Sequence, residues 1–401
     1  MIFNSLIRMT ESFPYEITED EKEFYEWRDK AQNHGLLHDA SLAYYLSDSK
    51  HLYTISVDGE LETAPIFTYR KWLEPHHPID SPIFGVSSDP IVGEYEEDAM
   101  VEMVKSIASA DGSYKGESDE YIWNGPVFAA NKASTDSLSF NLVESDYFTV
   151  KTPAIKLKDE LYRSLYERGV APDAPYLDVV DHINEIETPL RDEYYHNFEQ
   201  VIEFHDGPRL AGCSVVTVFN TGDDYVIPIE TRSSKVSESA GWKNPVPAGV
   251  LQPAEGEAKE IAHKDSDDLN ILQEHILQEY SGIFLDGDMD GLKALKDVLQ
   301  TDDGNLIYTS AGIDCKQTYL QFYGLLFIDD PEYYQEHIEG KELGGWESEK
   351  VEMVSLSDKE TIKSLLDRHT MNPYNLLGFA EALFTLRDAY DIELPLDLTR
   401  T

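Results

Sequence analysis

The stretch from 284 to 297, FLDGDMDGLKALKD, sets Asp286, Asp288 and Asp290 at alternate positions, then Gly291, then Asp297. Oxygen ligands at positions one, three and five, a glycine at six and an acid at twelve are the order of a calcium loop between two helices. Two features weigh against calcium. Lys293 stands at the eighth position, where such loops carry an apolar residue. Asp297 is one methylene shorter than the glutamate that closes the loop bidentately. No second loop occurs to pair with it. Gly-Asp runs form turns readily, and carboxylates before a helix are stabilised by its positive end. The stretch therefore reads as an acidic turn joining two helices, and a metal site at Asp286, Asp288, Asp290 and Asp297 is the chemical alternative.

A second set of acids lies just before it. Residues 268–284, DLNILQEHILQEYSGIF, place Leu269, Leu272, Ile276, Leu277 and Tyr280 at helical spacing. Glu274 and Glu279 ride on that helix, five residues and about 140° apart, so they do not share a face. They are candidate metal-binding or catalytic acids only if Glu230, Asp286 or Asp288 joins them. The alternative is a solvated face in an acidic protein. On the strand before, Glu230-Thr231-Arg232-Ser233-Ser234 offers the Arg232 guanidinium as an anchor for a phosphate or carboxylate. An ion pair with a neighbouring acid would account for Arg232 equally well. No H-x-x-x-H or C-x-x-C pairing occurs for zinc. Nor is there a nucleophile elbow or a phosphate-cradling glycine loop.

The background is strongly acidic. The 401 residues include 77 acidic and 32 basic side chains, a net charge of −45. Such a field repels nucleic acid and anionic membrane surfaces, and no basic patch offsets it. The acids are spread along the whole chain, the pattern favoured in molar salt, where the Debye length shrinks to about 3 Å. The expectation is a cytoplasmic protein of an extreme halophile. Hydrophobic residues at 41% allow a real core. Two cysteines, Cys213 and Cys315, suit a reducing compartment. No apolar run approaches the roughly 18 residues of a membrane helix. The N-terminal MIFNSLIRMT is too short and polar for a signal peptide. Met9 is an alternative start, because Thr10-Glu11-Ser12 opens the acidic style of the rest.

The elements that must hold these residues are expected as follows. Thr18 and Glu21 form a capping box for a helix over 18–34. Residues 51–57 and 61–70 form a hairpin around Asp58-Gly59. A helix follows over 96–110, then strands over 121–131 and 137–143, then a helix after Pro153 that stops at Gly169. The Pro- and Asp-rich stretch 170–190 separates the halves. Strands are expected over 209–219, 225–232, 305–311, 317–328 and 345–357, with a short extended segment over 246–253 and a polar insert over 254–267. Helices are expected over 291–300, 358–369 and the terminal PYNLLGFAEALFTLRDAY.

From 205 to 370 this order resembles a Nudix domain. The order is hairpin, glycine-bearing VPAGVLQP, Gln-Glu helix, further strands, WESEKVEMVSL and a closing helix. The family signature, G-x5-E-x7-R-E-U-x-E-E-x-G-U, places glutamates on one helix face to hold the divalent cations that neutralise a diphosphate. Gly249 supplies the glycine and Glu279 one glutamate. Gln278 replaces the arginine, and the metal-binding pair falls on Gly282 and Ile283. A register one turn earlier, using Glu274, also gives a single glutamate. The chain is similar, too, to a group of uncharacterised bacterial and archaeal proteins with VPxGxFQP and REYxEEL-type motifs. The resemblance implies an α/β (or α+β) fold, a Nudix-like mixed sheet sandwiched by helices. On this reading 1–190 is a mixed N-terminal region and 191–401 the Nudix-like domain. It implies a non-catalytic domain that binds a nucleotide-like or other anionic ligand, or a protein partner, with Arg232, Ser233, Gly249 and Gln252 lining the cleft. The alternative is a Mg²⁺-dependent hydrolase of a nucleoside diphosphate derivative, worked by Glu279 and Glu274.

Overall fold

Residues 209–220 and 320–328 are mostly apolar, and strands buried on both faces read this way because neither side meets water. In the computed structural model they form the parallel centre of a mixed sheet, with Leu320 opposite Ala211 and Ile328 opposite Phe219. The structure describes residues 6–8, 18–75, 84–87, 89, 91, 121–123, 125–134, 136, 139–204, 208–233, 241–263, 269–285, 287–300, 305–341, 343–344 and 348–401. The helix expected over 96–110 lies outside them.

In chain order the elements begin with β1 (Leu6–Arg8), α1 (Glu19–Asn33), α2 (Leu36–Tyr44), β2 (Leu52–Val57), β3 (Glu60–Phe67) and β4 (Phe84–Val86). Next come β5 (Tyr121–Trp123), β6 (Pro126–Ala133), β7 (Phe140–Asp146), α3 (Tyr147–Glu167), α4 (Tyr176–Ile183), α5 (Pro189–Tyr194) and α6 (Phe198–Ile202). Then follow β8 (Arg209–Asn220), β9 (Tyr225–Arg232), β10 (Lys243–Pro245), β11 (Ala248–Val250), α7 (Gly256–Ala262), α8 (Ile271–Ile283) and α9 (Met289–Gln300). The chain closes with β12 (Leu306–Asp314), β13 (Leu320–Ile328), α10 (Pro331–His337), β14 (Ser348–Ser355), α11 (Lys359–Leu365), α12 (Pro373–Tyr390) and β15 (Leu398–Arg400).

The main sheet runs β15-β2-β3-β12-β13-β8-β6-β7-β4, and β9, β10, β11 and β14 extend it from β8. Strand β6 pairs with β8 and β3 with β12, so strands from both sides of residue 190 share one sheet. The class is α/β. Alternation along the central strands feeds two cores. Cys213, Val215, Phe219, Phe322 and Leu326 face α7, α8 and α9. Val216, Val218, Tyr323, Leu325 and Phe327 face α11 and α12. Gly378 lets α12 sit this close, since a Cβ there would come within 2.2 Å of the Tyr323 ring. Among the described residues no helix is long and apolar enough to cross a membrane.

Three expectations change. The helix placed after Pro153 starts earlier, at Tyr147, with Asp146 accepting from the Thr149 amide at 3.0 Å. Burial of Phe148 and Val150 holds the turn that Pro153 would weaken. The separator at 170–190 contains α4, whose Val179 and Ile183 are buried beside α2. The polar insert contains α7, which buries Ala258 and Ile261.

The C-terminus is fastened by one buried carboxylate. Glu381 on α12 accepts from Tyr53 Oη on β2 at 2.8 Å and from Arg400 Nη2 on β15 at 2.8 Å. Replacing Arg400 by Met strands that carboxylate. The unfolding free energy is expected to fall by about 1–3 kcal/mol, less than for a fully buried pair because Arg400 is partly exposed. Adding Glu381→Met should recover part of the loss, as read from denaturant midpoints.

Candidate functional site

Helix α8 starts from a capping box. Asn270 accepts from the Gln273 amide at 3.1 Å, and the Gln273 side chain returns to the Asn270 amide at 2.9 Å. Its inner face, Leu272, His275, Ile276, Leu277 and Tyr280, packs on the sheet, and Tyr280 Oη donates to Thr217 Oγ1 at 2.7 Å. That anchoring aims the two glutamates differently. Glu279 lies over β11, where a Cβ on Gly249 would come within 3.0 Å of its Oε1. Glu274 lies 3.8 Å from His263. Glu230, on β9, accepts from Asn244 at 3.1 Å and from Ser348, with Arg232 at 3.5 Å. The three carboxylates that could have built a metal site thus have different neighbours, with Glu279 4.0 Å from His275 Nδ1, Glu274 beside His263 and Glu230 bonded to Asn244. Among the described residues, one group brings three metal-ligand atoms within 4.8 Å of one another. It is Asp48, His51 and Glu199, where Asp48 already accepts from the Phe198 amide and Lys50 lies 3.5 Å from Glu199.

The other sequence-derived candidates fall as follows. Arg232 and the buried Ser233 close the end of β9, and the Arg232 charge meets Glu230. Gly249 pairs opposite Cys213 in β11, and the half-buried Gln252 follows that strand. In the acidic stretch Asp286 lies outside the described residues. Asp288 caps α9, accepting from the Gly291 amide at 2.9 Å, from Lys341 at 2.6 Å and with His337 at 3.1 Å. The Lys341 ammonium, first of these, holds its carboxyl far below the usual range. Asp290 pairs with Lys293 at 2.7 Å. Asp297 lies exposed on the same helix, two turns or about 10 Å further on. The described acids of the stretch serve a cap, a surface ion pair and a helix face.

A different cluster stands out on charge. The turn between β12 and β13, Cys315-Lys316-Gln317, is buried, although connecting turns normally lie on the surface. Asp314 accepts from the Lys316 amide at 3.0 Å and the Gln317 amide at 3.2 Å. Arg191, fully buried, donates to the Cys315 carbonyl at 2.8 Å and the Lys316 carbonyl at 3.1 Å. Thr318 sits at φ +60, a strained value for a β-branched residue. Lys316, 5% exposed, lines a pocket together with Lys158 of α3, 8% exposed. Gln32, His38, Tyr162 and Trp242 also line it, and among the described residues no carboxylate does. Among the described residues the Lys316 ammonium faces the Tyr374 ring at 5.7 Å and has no carboxylate partner. Gly35, at φ +72, closes the far side, where a Cβ would lie 3.1 Å from Trp242. Sequence reasoning passed over this site. The available signal was a lysine inside GIDCKQTY, between two apolar strands.

No family model and no curated protein sequence matches this chain.

His275, beside Glu279, gives a pH test of how α8 is buried. Neither ring nitrogen has a hydrogen-bond partner among the described residues, and burial lowers its pKa to about 4. As pH falls below 6.5 the unfolded chain takes up a proton that the folded chain refuses, so stability drops between pH 6.5 and about 4. This component should reach about 3 kcal/mol by the lower pH. It should be missing from His275→Leu when the two denaturation curves are compared across that window.

Proposed function

We propose that the protein binds a small anionic ligand and does not hydrolyse it. The observation that carries this reading is the pocket lined by the buried Lys158 and Lys316 and, among the described residues, by no carboxylate, with the Lys316 ammonium meeting only an aromatic ring. In a chain with 77 acids and 32 bases, such a wall selects for negative charge. A buried cation is costly until it is balanced, so an anion gains more there than on the solvated surface. The non-catalytic half of the reading is supported by α8. Phosphoryl chemistry with Mg²⁺ needs carboxylates converging on one ion, and Glu274, Glu279 and Glu230 lie beside His263, His275 and Asn244 respectively. On this proposal the Nudix-like half is a scaffold, and its box helix is a packing element.

The test offers ADP-ribose, nucleotide sugars, dinucleoside polyphosphates, nucleoside triphosphates and small carboxylates in potassium sulfate at molar potassium, with Mg²⁺ and Mn²⁺. The expected outcome is no turnover, with thermal stabilisation by at least one anion that is lost in Lys316→Met. An anion at a hundredfold excess over its Kd should add about 2.7 kcal/mol. Turnover abolished by Glu279→Gln would replace this reading with the Mg²⁺-dependent hydrolase.

A further inference from the structure

We infer that the occupant of the Lys158–Lys316 pocket presents one compact monoanionic group, the chemistry of a halide ion or a single terminal carboxylate, and not a diphosphate. The inference rests on the anion-binding reading of the same pocket and narrows its ligand. The space between the lining residues has room for about one water-sized group. A diphosphate would need that wall to open, and the wall is tied on both sides. On one side the Lys316 backbone is held through Asp314 and Arg191. On the other, the α1–α2 junction turns at Gly35 directly against Trp242. Helix α3 contributes Lys158 and Tyr162 from a turn apart, so the third wall is a continuous helix.

Charge argues for the same occupant. Lys316 is nine-tenths buried, and its one partner among the described residues is an aromatic ring at 5.7 Å, near the outer limit of a cation–π contact. A monoanion in contact with that ammonium offsets its desolvation, and the Gln32 amide can donate to the same ion. Among the described residues, those lining the space include no acid that would repel it.

The experiment holds potassium constant and replaces sulfate, a dianion outside the proposed class, stepwise by chloride, reading melting temperature and the ³⁵Cl NMR line width of the intact chain. In the native protein both should change saturably with chloride. Both responses should be lost in Lys316→Met and kept in Lys71→Met, a surface lysine paired with Glu74. Lys158→Gln is the second variant should Lys316→Met not fold. Acetate that stabilises and also narrows the chloride line assigns the site to a carboxylate head. Chloride acting alone assigns it to a halide, and either supports the inference. Displacement of chloride by ADP-ribose or a triphosphate, with stabilisation that depends on Lys316, overturns the compact-ion inference and leaves anion binding standing. Identical curves in chloride and sulfate, with no Lys316-dependent response to any anion of the panel, overturn both.

Discussion

The parallel pairing of β8 with β13 is the interaction on which the other parts depend. Its nine-residue register sets which side chains of both strands face which helix layer. A slip of one residue would exchange Cys213, Val215 and Phe219 with Val216 and Val218, and both cores would lose their partners at once. Strand β8 also carries β6, β9 and β11, so the hairpin with Arg232 and the segment with Gly249 are both aligned from the same edge. Helices α8 and α12 pack against opposite faces of these strands.

That central pairing has a consequence for polar groups. A sheet this deep leaves its β12–β13 turn inside the protein, where the turn's amides and carbonyls cannot reach water. Asp314 and Arg191 supply the missing partners, one as acceptor and one as donor. Satisfying the backbone in this way leaves the Lys316 side chain to be accommodated separately. The pocket with Lys158 thus follows from burying a polar turn. The Glu230–Asn244–Asn375 chain answers the same constraint beside α12, where Asn375 donates to Asn244 at 2.8 Å.

Much of the local structure was legible. Thr18 and Glu21 cap α1 reciprocally, as their spacing predicts. Asp58 and Gly59 both take positive φ in the hairpin turn, the conformation for which Asp-Gly is selected. The terminal helix spans Pro373–Tyr390, the whole of the periodic segment. Three features were not legible, each because tertiary contact outweighed a local signal. Pro153 lies inside α3 because the turn before it is capped and buried. Helix α7 has few apolar residues, and those few are the ones its neighbours cover. The 170–190 stretch looks like a linker by composition, yet its Val179 and Ile183 complete the core under α2.

What the sequence determined by itself was the class of fold, the helix and hairpin boundaries with strong caps and turns, and the absence of a complete metal-binding glutamate pair on the helix over 268–284. These depend on the spacing of neighbouring residues, and spacing is a local property. The meeting of Lys158 with Lys316 was decided only by tertiary structure, as was the parting of Glu274, Glu279 and Glu230 toward separate neighbours. Lysine 158 belongs to a helix of the first half and lysine 316 to a turn of the second. Their separation of 158 positions in the chain carries no pattern. The folded sheet brings them together because the turn must be buried and α3 is one of the elements that buries it.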